Sequence, residues 1–438
     1  MPRETKTLKR IKPDLPGGFH DYAPADAIAR QGMLDTIRRT FESFGYDPLE
    51  TSAVQKTEVL TGGEEDSGKI IFNVNGSQEE TSDTSLRFDL TVPLARFIAA
   101  NTDIPKPFKR YQIGSVWRGE RQQAGRYREF TQADVDIVGS SSLDADAEIA
   151  AIIYTCFRNL GIENFVINYN NRKILNALPA FAGFSEDKLW TALRIIDKRD
   201  KIGDAGVKKE LTQEFSEAIA EKITRFVADG GAGQEGVGEY AEIRAMLGDL
   251  APGAEKYFVA DFSLVRGLSY YTGSVFEMIL TDAPEIGSVA GGGRYDNLVA
   301  QFTGQKIPAV GVSIGIDRLF AALEKLGRIK KKQTLTQVLI LQVDESMKKE
   351  YRAMAAELRA AGLNTALYLG NDTDFKAQLA YAVKKEIPYV LICGQSEKAK
   401  AVVAIKNLQT REQKEIPREQ VVEYLQRTLQ IPRLCQCG

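Results

Sequence analysis

Histidine is almost missing from this 438-residue chain: His20, in the turn-like segment PGGFHDYAP, is the single one. A Ser-His or Cys-His pair needs an imidazole beside a nucleophile, and nothing near His20 supplies one, so His20 is expected to be structural. Cysteine is scarce as well, with four, at 156, 393, 435 and 437. Cys435 and Cys437 form a CxC with no second pair or histidine nearby, which argues against a zinc site. No apolar run approaches the roughly 18 residues a membrane span requires. The basic start MPRETKTLKRIKP has no apolar stretch behind it, so neither a secretory signal nor a membrane partner is expected, and a cytoplasmic location is. Charge of one sign is lacking too: 57 basic and 59 acidic residues leave a net charge of −2. That excludes a histone-like binder and leaves any nucleic-acid contact to local patches.

What is present reads as several segments. Ala27 to Phe44 carries Leu34, Ile37, Phe41 and Phe44 at helical spacing and ends at Gly45, a long helix suited to an interface. From 70 to 140, short apolar stretches alternate with turns (IIFNV, LRFDLTV, KRYQIGSVWR, REFTQADVDIVG), the pattern of an antiparallel sheet. Leu143 to Leu160 is helical in period, FVINY is a strand, and 171 to about 250 is rich in helix, an inserted helical subdomain. Strands return from 257 to 280, followed by the glycine run 291–293 and a helix opening near Gly315. Beyond the polar segment RIKKKQTLTQ, strands VLILQV, NTALYL, YVLICG and VVAIKNL alternate with helices, the signature of a separate α/β domain. The expected division is a core of 1–170 and 256–327 interrupted by a helical insertion of 171–255, then a linker of 328–334 and a C-terminal domain of 335–438.

Several clusters carry chemistry. RFDLTVP places Asp89 and Thr91 on one side of an expected strand, where they could bind an ammonium or form a surface pair. VWRGERQQAGRYREFTQADVDIVG is an arginine-rich hairpin; planar guanidinium groups suit phosphoryl oxygens, and Arg118 and Glu120 would share a face. On its returning strand Phe130, Gln132, Asp134 and Asp136 alternate onto one side, a row for recognition. LVRGLSYYTGSVFE sets Arg266 beside two adjacent tyrosines, Tyr270 and Tyr271, which point to opposite faces if extended. SVAGGGRYDNLV allows close backbone approach but lacks the spacing of a P-loop or dinucleotide fingerprint. In GVSIGIDRLF, Arg318 follows Gly315 at the first turn of a helix, where backbone N–H groups and a guanidinium could meet phosphate. Arginines, carboxylates and tyrosines together suit electrostatic catalysis at a phosphate.

In order, these segments resemble the histidyl-tRNA synthetase family over essentially the whole chain. VWRGE with RYREFTQADVDIVG resembles motif 2 of class II synthetases and GVSIGIDRL motif 3; LVRGLSYYTG and AGGGRYDNLV resemble the two histidine signatures. NNRKILNAL and RIIDKRDKIG resemble the family's helical insertion, and 335–427 its anticodon-binding domain. The resemblance implies an α+β catalytic domain on an antiparallel class II sheet, a helical insertion and a C-terminal α/β anticodon-binding domain. It implies a homodimer that uses ATP as substrate with Mg2+, activates L-histidine and charges tRNA(His); the metal ligands are not implied. By position, Asp89, Thr91 and Gln132 would bind the α-amino group, Asp136 and Tyr271 the imidazole, with Tyr270 in the same subsite. Arg118 and Arg266 would be catalytic at the α-phosphate, with Phe130 stacking adenine, Arg318 at the γ-phosphate, and Glu120 and Arg126 aiding ATP. A silent paralogue regulating ATP phosphoribosyltransferase is the alternative; the complete set Arg118, Arg266 and Arg318 and the C-terminal domain weigh against it.

Overall fold

The computed structural model describes residues 11–62, 71–76, 83–120, 127–230, 234–265 and 270–430. The chain divides into two compact units, one of residues up to 20 and 33–329, the other of 21–32 and 330 onward. Among the described residues no helix is long and apolar enough to cross a membrane.

The first unit is built on an eight-stranded sheet in the order Asp47–Pro48, Phe108–Trp117, Glu129–Val138, Ala309–Gly315, Ser288–Arg294, Ser274–Leu280, Phe165–Asn171, Phe258–Ala260. The two outermost pairings are parallel and the rest antiparallel. The long 108–117 and 129–138 strands pair throughout, from Phe108 opposite Val138 to Trp117 opposite Glu129. On the 129–138 strand Ala133, Val135 and Ile137 are buried on the face opposite Gln132, Asp134 and Asp136. Helix Leu143–Asn159 packs against this sheet; Ser142 caps it by accepting the Asp144 N–H at 3.2 Å, and Ile149, Ile152, Ile153 and Phe157 are fully buried. The expected helical segment forms helices Leu189–Ile196, Arg199–Glu214 and Glu217–Asp229 around their own core, which includes Leu175, Leu193, Leu211 and Phe226. Gln234–Leu250, the last helix of that segment, packs instead on helix Leu143–Asn159.

One stretch departs from the sequence reading. LRFDLTV is not a strand throughout: the strand Thr84–Leu86 stops early and a helix, Thr91–Ala100, begins at Thr91. Asp89 explains the switch, because its Oδ1 accepts the Val92 N–H at 3.1 Å, one of the donors a first helical turn leaves unpaired. Pro93 falls in that same turn, where its missing N–H costs nothing.

In the second unit, strands Thr365–Leu367, Val338–Ile340 and Tyr389–Ile392 are parallel, and Val402–Asn407 and Gln413–Pro417 continue the sheet antiparallel. Helices Lys348–Ala360 and Val421–Leu429 bury Tyr351, Met354, Leu358 and Leu425 against it. Four strands match the apolar stretches read from the sequence. The fifth, QKEIP, does not announce itself because it is an edge strand, mostly exposed and therefore charged.

Candidate active site

A cavity of about 430 Å³ lies on the sheet of the first unit, over the strands 129–138, 288–294 and 309–315. Every expected site residue among the described ones lines it: Asp89, Thr91, Arg118, Glu120, Phe130, Gln132, Asp136, Tyr270, Tyr271 and Arg318. Arg266 and Arg126 lie outside the described residues.

The alternation of the 129–138 strand makes the floor. Phe130, Gln132, Asp134 and Asp136 all face the cavity, while the neighbouring strands offer small residues beside them. Gly311 is opposite Asp136, Ser313 opposite Asp134 and Gly315 opposite Gln132. Gly311 is required by the close approach of Asp136: a Cβ there would lie 1.9 Å from Asp136 Oδ1 and 2.8 Å from the Val135 carbonyl oxygen. The carboxylate therefore lies across the bare backbone of the next strand.

Asp136 is held from two sides. The Tyr295 hydroxyl donates to Oδ1 at 2.5 Å, and Arg110, fully buried and opposite Asp136 on the 108–117 strand, pairs with Oδ2 at 2.7 Å. The charge of the same guanidinium is also felt by Asp89 and Asp134. Burial pushes the Asp134 carboxyl up to about 7, with Arg110 pulling back and the charge of Asp136 adding to the rise. Burial also raises Asp89 to about 6 against the Val92 N–H, Arg118 and Arg110, and it raises Asp136 against Arg110 and the Tyr295 hydroxyl. A site that holds several carboxylates at this cost is built for a cationic ligand.

The other end is cationic. Arg118 donates from Nε to the Phe88 carbonyl at 3.0 Å, and its guanidinium lies 5.1 Å over the Phe130 ring. Arg118 and Glu120 do not share a strand, which ends at Trp117, yet both face the cavity. Helix Ile316–Lys325 begins after Gly315, and Arg318 on its first turn donates to the Ser288 carbonyl at 2.5 Å. Asp317 fastens that turn to the floor by accepting the Thr131 N–H at 2.5 Å. Its charge also complements the positive end of the helix dipole.

The expectation that Tyr270 and Tyr271 face opposite ways is not met. They precede the strand Ser274–Leu280 rather than extend it, so period-two alternation does not apply. Both line the cavity, ring centroids 4.9 Å apart. His20 stacks on Tyr127 at 4.0 Å, and Tyr127 is itself a lining residue. Sequence reasoning missed Arg110, Tyr295, Ser313, Glu277 and Asp317, and gave Asp134 a place in the recognition row but no ligand group. Tyr295 stood in the GGGRYD segment already singled out; Arg110 and Ser313 become visible only once strand register is known.

Comparison with known proteins agrees. The sequence profile of histidyl-tRNA synthetase matches residues 18–319, and that of an anticodon binding domain matches 337–428. A histidine–tRNA ligase of Clostridium tetani is 39% identical over 440 residues, covering 95% of this chain and 98% of the relative. One of Paracoccus denitrificans is 41% identical over 458 residues, covering 93% and 92%. The crystal structure of histidyl-tRNA synthetase from a Nostoc species superposes with a TM-score of 0.85 at 34% identity, covering 96% of this chain and 100% of that one. With family matches along both units and relatives aligned nearly end to end, the chain belongs to the histidyl-tRNA synthetase family of class II aminoacyl-tRNA synthetases.

Proposed function

We infer that the cavity is where this chain, a histidine–tRNA ligase, joins L-histidine to ATP before passing the histidyl group to tRNA(His). The observation that carries the reading is one cavity with buried carboxylates at one end and Arg118 and Arg318 at the other. In the first step a carboxylate oxygen of histidine attacks the α-phosphorus, the bond to the β-phosphate oxygen breaks, and histidyl-adenylate and pyrophosphate form. In the second, a hydroxyl at the tRNA 3′ end attacks the carbonyl carbon and AMP leaves.

Roles follow from chemistry. The α-ammonium belongs among Asp89, Thr91 and Gln132. A neutral imidazole has one donor and one acceptor nitrogen. Asp136, paired with Arg110, takes the N–H, and since the Tyr295 hydroxyl is already spent on Asp136, Tyr271 faces the lone pair. Such a pair rejects apolar side chains of similar size, because its own polar groups would be left unpaired. Arg118 and Arg266 stabilise charge developing at the α-phosphate, Arg318 binds the γ-phosphate, Phe130 stacks adenine, and Arg126 and Glu120 assist at the nucleotide. Among the described residues no cluster of three or more metal-ligating side chains exists. Mg2+ needs only one or two protein carboxylates when substrate phosphates complete its shell, and Glu120 and Glu277 in the cavity wall fit that requirement. When bound, the ion neutralises phosphate charge. The chain works as a cytoplasmic homodimer in this reading, with Mg2+ and ATP.

The test is pyrophosphate exchange into ATP. Exchange should depend on histidine and not on proline, glycine or threonine; equal support by any of those would sink the reading.

A further inference from the structure

Four oxygens in the wall of the cavity are buried and accept no hydrogen bond among the described residues, Asp89 Oδ2, Gln132 Oε1, Asp134 Oδ1 and Asp136 Oδ2, and the last of these is ion-paired with Arg110. The residues of the other three, Asp89, Gln132 and Asp134, are 5%, 8% and 2% exposed. An oxygen so deeply buried is costly to leave without a donor. The substrate's α-ammonium has three N–H donors in a tetrahedral spread, one for each. We propose that Asp134 joins Asp89 and Gln132, beside Thr91, as an acceptor of the α-ammonium, completing a socket whose geometry is set by Ser313. This rests on the reading of the cavity as the histidine site and adds a ligand that the resemblance does not assign.

The placement supports it. Gln132 and Asp134 are two residues apart on one strand and so share a face. Asp89 comes to them from the start of helix Thr91–Ala100, close enough that its charge repels that of Asp134. Ser313, opposite Asp134 in the sheet, ties the two strand residues together. Its Oγ accepts from Gln132 Nε2 at 2.5 Å, and its hydroxyl donates to the Asp134 carboxylate. With the amide nitrogen of Gln132 committed to Ser313, its oxygen is turned to the cavity. One oxygen of Asp134 is likewise occupied by Ser313 while the other is left for the ligand.

Charge points the same way. Arg110 is one buried cation among the carboxylates of Asp89, Asp134 and Asp136, and it is ion-paired with Asp136. A ligand that brings a positive charge next to Asp89 and Asp134 restores the balance. The neutral imidazole brings no charge, and the charge of Asp136 is already matched by Arg110.

The experiment compares Asp134→Asn and Ser313→Ala with the wild-type chain in histidine-dependent pyrophosphate exchange. Two competitive inhibitors are run alongside: histidinol, which keeps the ammonium, and 3-(imidazol-4-yl)propionate, which keeps ring and carboxylate but has no amino group. Asp134→Asn should raise KM for histidine and Ki for histidinol by roughly 10- to 100-fold, the loss of a charge-assisted hydrogen bond. Ki for the propionate should stay within about twofold, since that ligand lacks the donor. Ser313→Ala should move the first two constants in the same direction by a smaller factor and leave the third alone. A parallel rise in Ki for the propionate would assign Asp134 to the ring and overturn the proposal, as would an unchanged KM in Asp134→Asn. Absence of histidine-dependent exchange in the wild-type chain would instead defeat the underlying reading, so the two failures are distinct. Thermal melts of both variants separate misfolding from lost binding.

Discussion

Replacing Gly311 with alanine tests the site through a residue that carries no chemistry of its own. The added methyl would lie 1.9 Å from Asp136 Oδ1, 2.5 Å from its Cγ and 2.8 Å from the Val135 carbonyl oxygen. The last of these is backbone within a paired strand and has little room to yield. Asp136 must therefore swing off the strand, breaking its 2.5 Å bond from Tyr295 and its 2.7 Å pairing with Arg110. Its carboxylate then no longer meets the imidazole N–H. A hydrogen bond to a charged group contributes about 1.5–3 kcal/mol. At about 1.4 kcal/mol per tenfold, kcat/KM for histidine in pyrophosphate exchange should fall roughly 10- to 150-fold. KM for ATP should change little. The same substitution in an Asp136→Ala background has nothing left to displace, so its effect should nearly vanish, a strongly non-additive cycle. A kcat/KM within twofold of wild type in Gly311→Ala, or full additivity in the cycle, would refute the claim that this glycine exists to seat Asp136.

Two further outcomes follow from the same geometry. Burial holds the carboxyls of Asp134 and Asp89 near 7 and 6 in the folded, ligand-free chain, above the roughly 3.9 of an unfolded aspartate. A group whose pKa is raised by folding contributes stability that is full below the unfolded pKa and lost as pH rises through the folded one. These residues should make the ligand-free chain less stable at pH 8 than at pH 5, and Asp134→Asn should raise the urea midpoint at pH 8 much more than at pH 5. An equal gain at both pH values would contradict the assignment. At the nucleotide end, Phe130→Ala should raise KM for ATP by about 5- to 100-fold, as expected for about 1–3 kcal/mol of base stacking, with KM for histidine nearly unchanged. The converse pattern would show that Phe130 serves the amino acid.

Much of the site was legible because its main row lies on a single strand. Phe130, Gln132, Asp134 and Asp136 alternate within REFTQADVDIVG, and a period of two needs no knowledge of neighbours to place them on one face. The helix carrying Arg318 was legible for a similar local reason, a glycine at the end of an apolar stretch followed by a helical repeat. The α/β pattern of the second unit showed through its buried strands and failed only at the exposed edge. Local rules misled where a side chain overrode the pattern. RFDLTVP reads as a strand by its apolar spacing, but Asp89 caps a helical turn and starts a helix two residues later. Tyr270 and Tyr271 lie before the strand they were assigned to, so alternation could not apply.

What stayed hidden shares one physical cause. Each floor residue takes its meaning from the two residues beside it across the sheet, and a one-residue change of register would exchange every such neighbour. Asp136 sits between Arg110 and Gly311, Asp134 between Gln112 and Ser313, and Gln132 between Gly114 and Gly315. The first arrangement gives a carboxylate a cation on one side and room to lie flat on the other. The second gives Asp134 a hydroxyl donor while one oxygen accepts no hydrogen bond among the described residues. The third flanks an amide with bare backbone, so that its orientation is left to Ser313. Along the chain Arg110 reads as one more basic residue in KRYQIG and Gly311 as a small residue in an apolar strand. The residues that face the cavity form rows that cross the sheet, and register, which no single segment of the sequence contains, is what assembles them.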